Sequence, residues 1–355
     1  MPAPISALIS VQTPAHLSAQ TSSPPPAPIL SDRALPVAAA AILALAAHAT
    51  FGIAPAAAQT PYPARSVEVI VPYSAGGSVD IMARAFTKEM AEILGQQIVV
   101  NNRDGAGGTI GVAAIANGRP DGYTVLFSPS SPLTQAPFLM GKLPYQVDQI
   151  VPICQIFENP FVIAVRKDSP ITNLKDLLTR AAAKPGALSY GHAGPGSVPH
   201  LATANLAKAS KVSFNEIAFR GDAQVIPQIL GGHVDFGALG VSSVAGKDLR
   251  LLAVYGATRL PGLPDVPAIT ESNIPHAVIA RNGLYVHHST PAAVRTTLER
   301  ACQTASAKPE FKTAASQLFQ QISYLNATDF AAKLASDLET NKALIQALGL
   351  LNTGS

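Results

Sequence analysis

The stretch that decides the fold is VEVIVPYSAGGSVD, residues 67–80. Its opening run is almost entirely valine and isoleucine, which favour a buried strand. The turn of small residues that follows leads into a segment with apolar side chains at Ile81, Ala85 and Met90, which predicts a helix over Asp80–Leu94. A strand, a Gly-rich turn and a helix in this order are typical of an open α/β sheet, where ligands lie at the carboxyl ends of strands.

Short β-rich runs continue to alternate with helical patterns along the chain, which predicts two α/β blocks with parallel strands. The predicted strands are Val67–Val71, Ile98–Val100, Thr124–Phe127, Phe161–Val165, Leu188–Tyr190, Phe214–Ala218, Phe236–Leu239, Leu249–Val254 and Leu284–His287. The predicted helices are Asp80–Leu94, Thr109–Ala116, Asn173–Ala183, His200–Ala209, Ala223–Leu230, Pro291–Ala305 and Thr328–Leu348.

Two extended segments, residues 161–166 and 283–287, flank the middle block and predict a hinge between two domains. The first domain is then discontinuous and comprises residues 59–162 and 284–355, while residues 163–283 form the second domain. A ligand cleft is expected where the two domains face each other.

The composition is that of a globular protein: of 355 residues, 48% are hydrophobic, 13% are charged and none is tryptophan. The net charge of +3 is spread thinly, without a Lys or Arg cluster that could follow a phosphate backbone, so no nucleic-acid partner is expected. Cys154 and Cys302 alone cannot make a zinc site, and no metal or cofactor is expected. They fit an oxidising compartment, but the sequence favours two buried thiols over a disulfide.

The N-terminal region has the features of an export signal. Residues 1–32 are rich in Pro, Ser and Ala and are predicted to be disordered. Arg33 precedes the apolar run Leu35–Ile53, which ends in Ala56-Ala57-Ala58, an A-x-A cleavage site. A membrane anchor is the alternative, but a core of about fifteen residues is too short to span a bilayer. Residues 1–58 are therefore interpreted as a leader with a signal peptide cleaved near Ala58, and the mature chain as not membrane-spanning.

The first candidate ligand-binding loop is the turn Tyr73–Asp80. Gly76 and Gly77 let a ligand approach the backbone, and the free N–H groups of the helix start favour a carboxylate. Asp80 lies in the first helical turn, where it suits the helix dipole or accepts a hydrogen bond from a polar ligand group. A tight structural turn capped by Ser78 is the alternative interpretation.

A second Gly-rich turn, residues 102–109, is interpreted as structural. It lacks the Gly-Lys-Ser/Thr of a Walker loop, and Ile110 stands where the third glycine of a dinucleotide-binding motif belongs. The next predicted strand ends in a serine turn. The hydroxyls of Ser128, Ser130 and Ser131 are suitable donors to a ligand carboxylate, although serines are also common in loops.

The second block contributes two more loops, residues 190–200 and 219–223. If the two blocks face each other, these loops form the opposite side of the cleft. Arg220 is the best candidate for a charged clamp, because its guanidinium can hold a carboxylate through two parallel hydrogen bonds. A solvated surface arginine is the alternative.

Together these motifs resemble the substrate-binding receptors of tripartite tricarboxylate transporters, the Bug family, and the resemblance runs in order from Tyr62 to Gly349. The matching motifs are Tyr62-Pro63, Pro72–Arg84, Asn102–Gly108, Pro120–Thr124, Gly194–Leu201, Leu252–Val254 and Leu263–Pro267. The resemblance implies an α/β, two-domain periplasmic binding protein of type II-like architecture, with two hinge crossings and the ligand cleft between the domains.

The resemblance also implies which residues bind the ligand, whose carboxylate relatives hold largely by backbone groups and waters of the first loop. In the first domain these are Tyr73, Ser74, Ala75, Gly76, Gly77 and Asp80, with Ser128, Ser130 and Ser131 of the serine turn. In the second domain they are His192, Ser197, Phe219 and Arg220. His192 stands where a serine is frequent, and Phe219-Arg220 where Tyr-Lys or Tyr-Trp is usual. A family-like anchor and a specialised second domain are therefore expected.

The resemblance predicts a function in uptake: a monomeric periplasmic receptor that captures a small carboxylate and delivers it to the membrane subunits of a tripartite transporter. A periplasmic sensor for a signalling partner shares every feature named. A secreted hydrolase-type enzyme is the weaker alternative, because the chain has no G-x-S-x-G, no H-E-x-x-H and no Cys/His cluster. Asp80 with His192 or His200 is the acid–base pair that such an enzyme would use.

Overall fold

The computed structural model describes residues 61–275, 278 and 280–352, and these form two mixed β-sheets flanked by helices. The predicted leader and the cleavage near Ala58 lie outside these residues. The strands are β1 Val67–Val71, β2 Ile98–Asn102, β3 Thr124–Pro129, β4 Ile150–Glu158, β5 Phe161–Arg166, β6 Ser189–His192, β7 Asn215–Ala218, β8 Phe236–Gly240, β9 Leu249–Tyr255, β10 Arg281–His287 and β11 Ile322–Asn326.

The helices flank both sheets. They are α1 Ser78–Leu94, α2 Thr109–Ala116, α3 Ser131–Thr134, α4 Ala136–Leu139, α5 Leu174–Ala183, α6 Val198–Ala209, α7 Asp222–Leu230, α8 Val241–Val244, α9 Ala292–Ala307, α10 Pro309–Gln317 and α11 Ala327–Leu348. Short 3-10 turns occur at Ala106–Gly108, Val147–Gln149 and Ile269–Ser272.

The first sheet has the order β11-β4-β10-β3-β1-β2 and, with its helices, is called the first lobe. Strand β1 is parallel to β2 and β3, with Val69 opposite Val100 and Val125. Because the carboxyl ends of β1 and β3 therefore meet at one end of the sheet, the turn Tyr73–Asp80 and the serine turn are neighbours.

The second sheet has the order β7-β6-β8-β5-β9 and, with its helices, is called the second lobe. Strand β6 is parallel to β7 and β8, so that Gly191 lies opposite both Ile217 and Gly237. The loops that follow β6, β7 and β8 consequently emerge together. This arrangement brings residues 193–197 next to residues 219–222.

The chain passes between the sheets after β4 and again between β9 and β10, as the extended segments predicted. Helix α11 also touches both lobes, because Phe330 packs into a core cluster of the first lobe and Ile345 into one of the second. The domain limits remain a prediction. They assign α11 to the first domain alone, although this helix packs against both lobes.

Most predicted elements lie within a few residues of the observed ones, but one expectation was wrong and several elements were not predicted. The sheets are mixed rather than parallel, since β10 pairs antiparallel with β3 and β4, and β5 pairs antiparallel with β8 and β9. Strands β4 and β11, helix α10 and the short helices α3, α4 and α8 were not predicted. Strand β4 was missed because it contains Pro152, and proline normally interrupts a strand. In the structure Pro152 lies opposite Tyr285, beside a register shift.

A disulfide joins Cys154 of β4 to Cys302 of α9, with 6.6 Å between the two Cα atoms. Both residues are fully buried within the main core cluster of the first lobe. The expectation of two separate thiols is therefore corrected. Spacing along the chain could not reveal the pairing, because the two residues are 148 positions apart.

No helix in the described part of the chain is both long and apolar enough to cross a membrane.

Candidate functional site

The loops at the carboxyl ends of the two sheets meet around a cavity of about 370 Å³. Both lobes contribute to its wall. The lining residues are Tyr73, Gly77, Ser78, Val79, Pro129, Ser131, Asn159, Phe161, Ala193, Ser197, Val198, Pro199 and Asp222. Such a buried pocket between two lobes is the usual place for a small-molecule site.

The two lobes touch each other around this cavity. The N–H of Ser74 in the first lobe donates to the carbonyl of Arg220 in the second, at 3.2 Å. A Cβ atom on Gly194 would lie only 2.9 Å from the backbone nitrogen of Gly107, so the backbones meet without side chains between them. The structure therefore represents a closed arrangement of the lobes.

The shape of the turn Tyr73–Asp80 is set by Asp80, whose carboxylate is buried. It accepts hydrogen bonds from Gly76 N at 2.8 Å, Asn102 Nδ2 at 2.9 Å and Arg84 Nε at 3.0 Å. Burial opposes its ionisation, but these donors outweigh burial and hold the pKa of Asp80 below its usual value. Asp80, predicted as a ligand contact, does not line the cavity and instead fixes the loop.

Backbone N–H groups at the start of α1 are the best candidates for a carboxylate anchor. The N–H of Gly77 is already bonded to the carbonyl of Ser74, and that of Ile81 to Gly77. The first N–H groups of a helix have no intrahelical partner. Ser78 and Val79 both line the cavity; the N–H of Ser78 is bonded to the carboxyl of Asp222, which leaves that of Val79. The helix dipole adds partial positive charge at this point.

The remaining predicted residues of the first loop are split between the cavity and its rim. Tyr73 lines the cavity and donates its hydroxyl to the carbonyl of Gly107 at 2.8 Å. Burial raises the pKa of Tyr73, so it stays a neutral phenol. Ser74 is buried against the second lobe, whereas Ala75 and Gly76 are exposed and do not line the cavity.

The serine turn places one of its three predicted hydroxyls in the cavity wall. Ser131 lines the cavity and starts helix α3. Ser128 and Ser130 are equally buried but do not line it, and Ser128 donates to the carbonyl of Pro129 at 2.8 Å. The turn therefore offers a single side-chain donor to a ligand.

On the second lobe, Ser197 lines the cavity and its hydroxyl donates to Gly194 O at 2.6 Å. His192 is fully buried outside the cavity, with Nδ1 3.2 Å from Gly194 N and Nε2 3.3 Å from Glu216 Oε1. His200 faces the same carboxylate at 3.4 Å. Hydrogen bonds from His192 and His200 hold the pKa of Glu216 well below its usual value. His192 thus supports the loop that carries Ser197.

Phe219 and Arg220 lie at the edge of the site. Phe219 is half-buried and packs beside a core cluster of the second lobe, and the Arg220 side chain is exposed. Neither residue lines the cavity, and Arg220 contributes its backbone carbonyl to the contact between the lobes. In this arrangement the guanidinium predicted as a clamp lies outside the cavity wall.

Two polar residues that sequence reasoning missed do line the cavity. Asn159, in the crossing between the lobes, exchanges hydrogen bonds with the Ser78 hydroxyl and accepts one from Gln320. Asp222 is buried and accepts from Gly240 N at 3.1 Å, and burial raises its pKa to about 6. The only sequence signal for Asp222 was its place in the loop 219–223, where a first-turn acid is also explained by the helix dipole.

Among the described residues, no group of three or more His, Cys, Asp or Glu side chains could hold a metal ion. The polar groups that face the cavity are backbone N–H groups, hydroxyls, one amide and one carboxyl. These groups can orient a small polar molecule by hydrogen bonding.

Comparison with known proteins identifies the family. Residues 82–350 match the Tripartite tricarboxylate transporter family receptor. A UPF0065 protein of a Pseudomonas species is 35% identical over 264 residues, which cover 72% of this chain and 78% of that protein.

Solved structures of similar fold support the same assignment. The periplasmic binding protein BugD is 30% identical with a TM-score of 0.78, over 82% of this chain and 99% of that one. MatC of Rhodopseudomonas palustris, solved with bound malate, is 26% identical with a TM-score of 0.75, over 80% of this chain and 100% of that one. The chain is therefore a member of the tripartite tricarboxylate transporter receptor family, with the α/β fold of the two-lobed periplasmic binding proteins.

Proposed function

We propose that this chain is an extracytoplasmic solute receptor that captures a small carboxylate between its lobes and delivers it to the membrane subunits of a tripartite transporter. The observation that carries the proposal is the cavity itself. Three helices of opposing lobes begin at lining residues: α1 at Ser78, α6 at Val198 and α7 at Asp222. Their N-termini supply partial positive charge and free N–H groups, which suit an anion.

The anchor in this proposal is the start of α1 with the N–H group of Val79, and the hydroxyls of Tyr73, Ser131 and Ser197 are further polar contacts. The other predicted contacts act through the loops that they shape or support. The malate bound to MatC, a relative with the same fold, supports a carboxylate as the ligand class.

A thermal-shift screen of the mature chain against small carboxylates tests this proposal. At least one mono- or dicarboxylate should raise the melting temperature, because a ligand that binds only the folded state stabilises it by mass action. Malate is the first compound to try. The absence of a shift from every compound in a broad carboxylate set would count against the proposed class.

The proposal assigns no catalytic step to this chain. Its receptor family argues for binding, and the residues of the possible acid–base pair have other partners: Asp80 is bonded to Gly76, Asn102 and Arg84, while His192 and His200 face Glu216. A receptor should return its ligand unchanged after incubation. The appearance of a product that depends on the protein would favour the enzyme alternative.

The proposal also places the mature receptor in the periplasm, as a monomer. The family membership and the export features of residues 33–58 support this location. Mass spectrometry of protein from the cell envelope should find a mature start at or near Gln59. An uptake assay in a strain that lacks the receptor would separate transport from signalling, since only a transport receptor is needed for ligand entry.

A further inference from the structure

The carboxylate of Glu216, at the surface of the second lobe, faces two buried imidazoles. His192 Nε2 lies 3.3 Å from Oε1 and His200 Nε2 lies 3.4 Å from Oε2, and the two rings stack with their centroids 5.1 Å apart. Each oxygen of the carboxylate therefore faces one ring. Glu216 belongs to β7 and does not line the cavity, so any part that it plays in ligand binding must pass through the two histidines.

The opposite nitrogens of the same two rings bond to the backbone of segment 193–197. Gly194 N donates to His192 Nδ1 at 3.2 Å, and Gly196 N donates to His200 Nδ1 at 3.4 Å. The carbonyl of Gly194 also lies 3.2 Å from His192 Nδ1, but its two lone pairs already accept from the N–H and the hydroxyl of Ser197. Both Nδ1 atoms therefore act as acceptors, and the proton of each neutral ring lies on Nε2, which faces the carboxylate.

Segment 193–197 connects these hydrogen bonds to the cleft. Its first and last residues, Ala193 and Ser197, line the cavity. Gly194 lies so close to Gly107 of the first lobe that a Cβ atom on Gly194 would be 2.9 Å from the Gly107 nitrogen. A change in the protons of the two imidazoles therefore acts on both the cavity wall and the contact between the lobes.

Among the described residues, no Lys or Arg forms an ion pair with Glu216. Tyr190 of β6 donates its hydroxyl to Oε2 at 3.0 Å. Lys208 of α6 lines the same surface groove as Glu216, but its ammonium group is bonded to the carbonyl of Ala347. Hydrogen bonds from the two imidazoles hold the pKa of Glu216 well below its usual value. The carboxylate therefore stays ionised over the pH range in which histidines change charge.

We infer that Glu216 is a positioning residue for the cleft, and that the two histidines behind the wall make the second lobe sensitive to acid. The carboxylate keeps the protons of His192 and His200 on Nε2, which leaves both Nδ1 atoms to hold segment 193–197. An imidazole that gains a second proton carries N–H on both nitrogens and can no longer accept from the segment. The wall then loses the hydrogen bonds that shape it, and ligand affinity falls. The loss of affinity rests on the proposed function, whereas the positioning role does not.

Two-bond ¹H–¹⁵N correlation spectra of the mature protein test the positioning role without a ligand, because they distinguish the tautomers of an imidazole. At pH 8 both rings should be in the Nε2–H form, and the amides of Gly194 and Gly196 should be protected from hydrogen exchange. In Glu216→Gln the side-chain amide can accept from one ring but must donate to the other, which forces that ring into the Nδ1–H form. The glycine amide bonded to that ring should then exchange at least tenfold faster.

Glu339→Gln is the matched control, because it makes the same chemical change at an exposed position of α11. Both tautomers and both exchange rates should remain those of the wild type in this variant. Nδ1–H tautomers in the wild type would overturn the positioning role of Glu216. Unchanged tautomers and exchange rates in a folded Glu216→Gln would overturn it as well.

Titration calorimetry with malate at pH 8 and pH 5 tests the acid sensitivity. Malate and Asp222 also gain protons in acid, so the wild type is compared with the double variant His192→Asn/His200→Asn. The asparagine oxygens can accept from the same backbone N–H groups and do not titrate. On acidification the wild-type Kd should rise at least tenfold more than that of the double variant. His233→Asn, which removes an exposed histidine of the same lobe, should follow the wild type.

The outcomes separate this inference from the proposed function. An equal rise of Kd in the wild type and the double variant would overturn the acid sensitivity while the carboxylate receptor stands. If malate does not bind, that result counts against malate as the ligand, and hydrogen exchange decides the inference instead. The protection factors of the Gly194 and Gly196 amides should then fall at least tenfold between pH 8 and pH 5, and protection that persists in acid would overturn the inference.

Discussion

Replacing Gly107 by alanine should prevent the two lobes from closing on a ligand. Gly107 belongs to the first lobe, has φ +62°, and lies against the turn 194–196 of the second lobe. A Cβ atom there would overlap the carbonyl oxygen of Pro195, whereas real Cβ contacts keep at least 3.0 Å. The lobes would have to part by about 1 Å to accept it.

A separation of that size breaks hydrogen bonds that cross the cleft. The bond from Ser74 N to Arg220 O, now 3.2 Å long, would exceed hydrogen-bonding range, and ligand contacts from the second lobe would lengthen with it. A neutral hydrogen bond contributes about 1 kcal/mol and one to a charged group about 2 kcal/mol. The expected loss of binding free energy is therefore about 3 kcal/mol, which weakens Kd roughly 100-fold.

Gly95→Ala is a matched control for this experiment. Gly95 has φ +63° and no atom within 4 Å of an added Cβ, so alanine there introduces the same backbone strain, about 1 kcal/mol, without a clash. Both variants should lose similar stability in urea denaturation, but only Gly107→Ala should lose affinity in titration calorimetry. Equal Kd values for the two folded variants would refute the view that this closed contact accompanies binding.

Three further changes test other parts of the account. Gly77→Val should weaken the binding of every ligand by about 3 kcal/mol, because the added Cβ would lie 3.2 Å from Ser74 O and the valine methyl groups would occupy the space of the ligand carboxylate. Normal affinity of the folded variant in calorimetry would place the site elsewhere. Because the pKa of Asp222 is raised from 3.8 to about 6, its contribution to stability is fully present below pH 4 and is lost as the pH rises through 6. Relative to Asp222→Asn, the wild type should therefore lose up to about 3 kcal/mol in urea denaturation between pH 4 and 7, and parallel curves would contradict this. The double variant Cys154→Ser/Cys302→Ser should lower the free energy of unfolding by about 2–5 kcal/mol, as the loop that the disulfide closes is long; an unchanged urea midpoint would show that the bond contributes nothing.

The elements that could be predicted from the sequence are those that the spacing of apolar residues within a few positions determines. The run of valine and isoleucine before Tyr73 and the helical spacing after Ser78 place β1 and α1 almost to the residue. The predicted parallel arrangement holds where a strand, a helix and a strand follow one another. The prediction fails at β4. Pro152 made this segment look unlike a strand, and its antiparallel partners β10 and β11 lie far along the chain.

The site was predicted less completely because the sequence does not show which side of a loop faces inward. The turn Tyr73–Asp80 contributes residues to the cavity wall, yet Asp80 faces three donors of its own lobe rather than the cavity. In the loop 219–223, the residue with the more obvious ligand chemistry, Arg220, is exposed, and Asp222 two positions later is buried. Only the three-dimensional arrangement distinguishes them.

A crystal structure of the mature chain with the first carboxylate that raises its melting temperature is the most direct test of the central claim. We expect the ligand to lie between the lobes, with its carboxylate within hydrogen-bonding distance of the N–H group of Val79. The ligand should also be enclosed by residues of both lobes, including Ser131 and Ser197. A ligand bound at any other surface, with the cavity between the lobes still closed and empty, would contradict it.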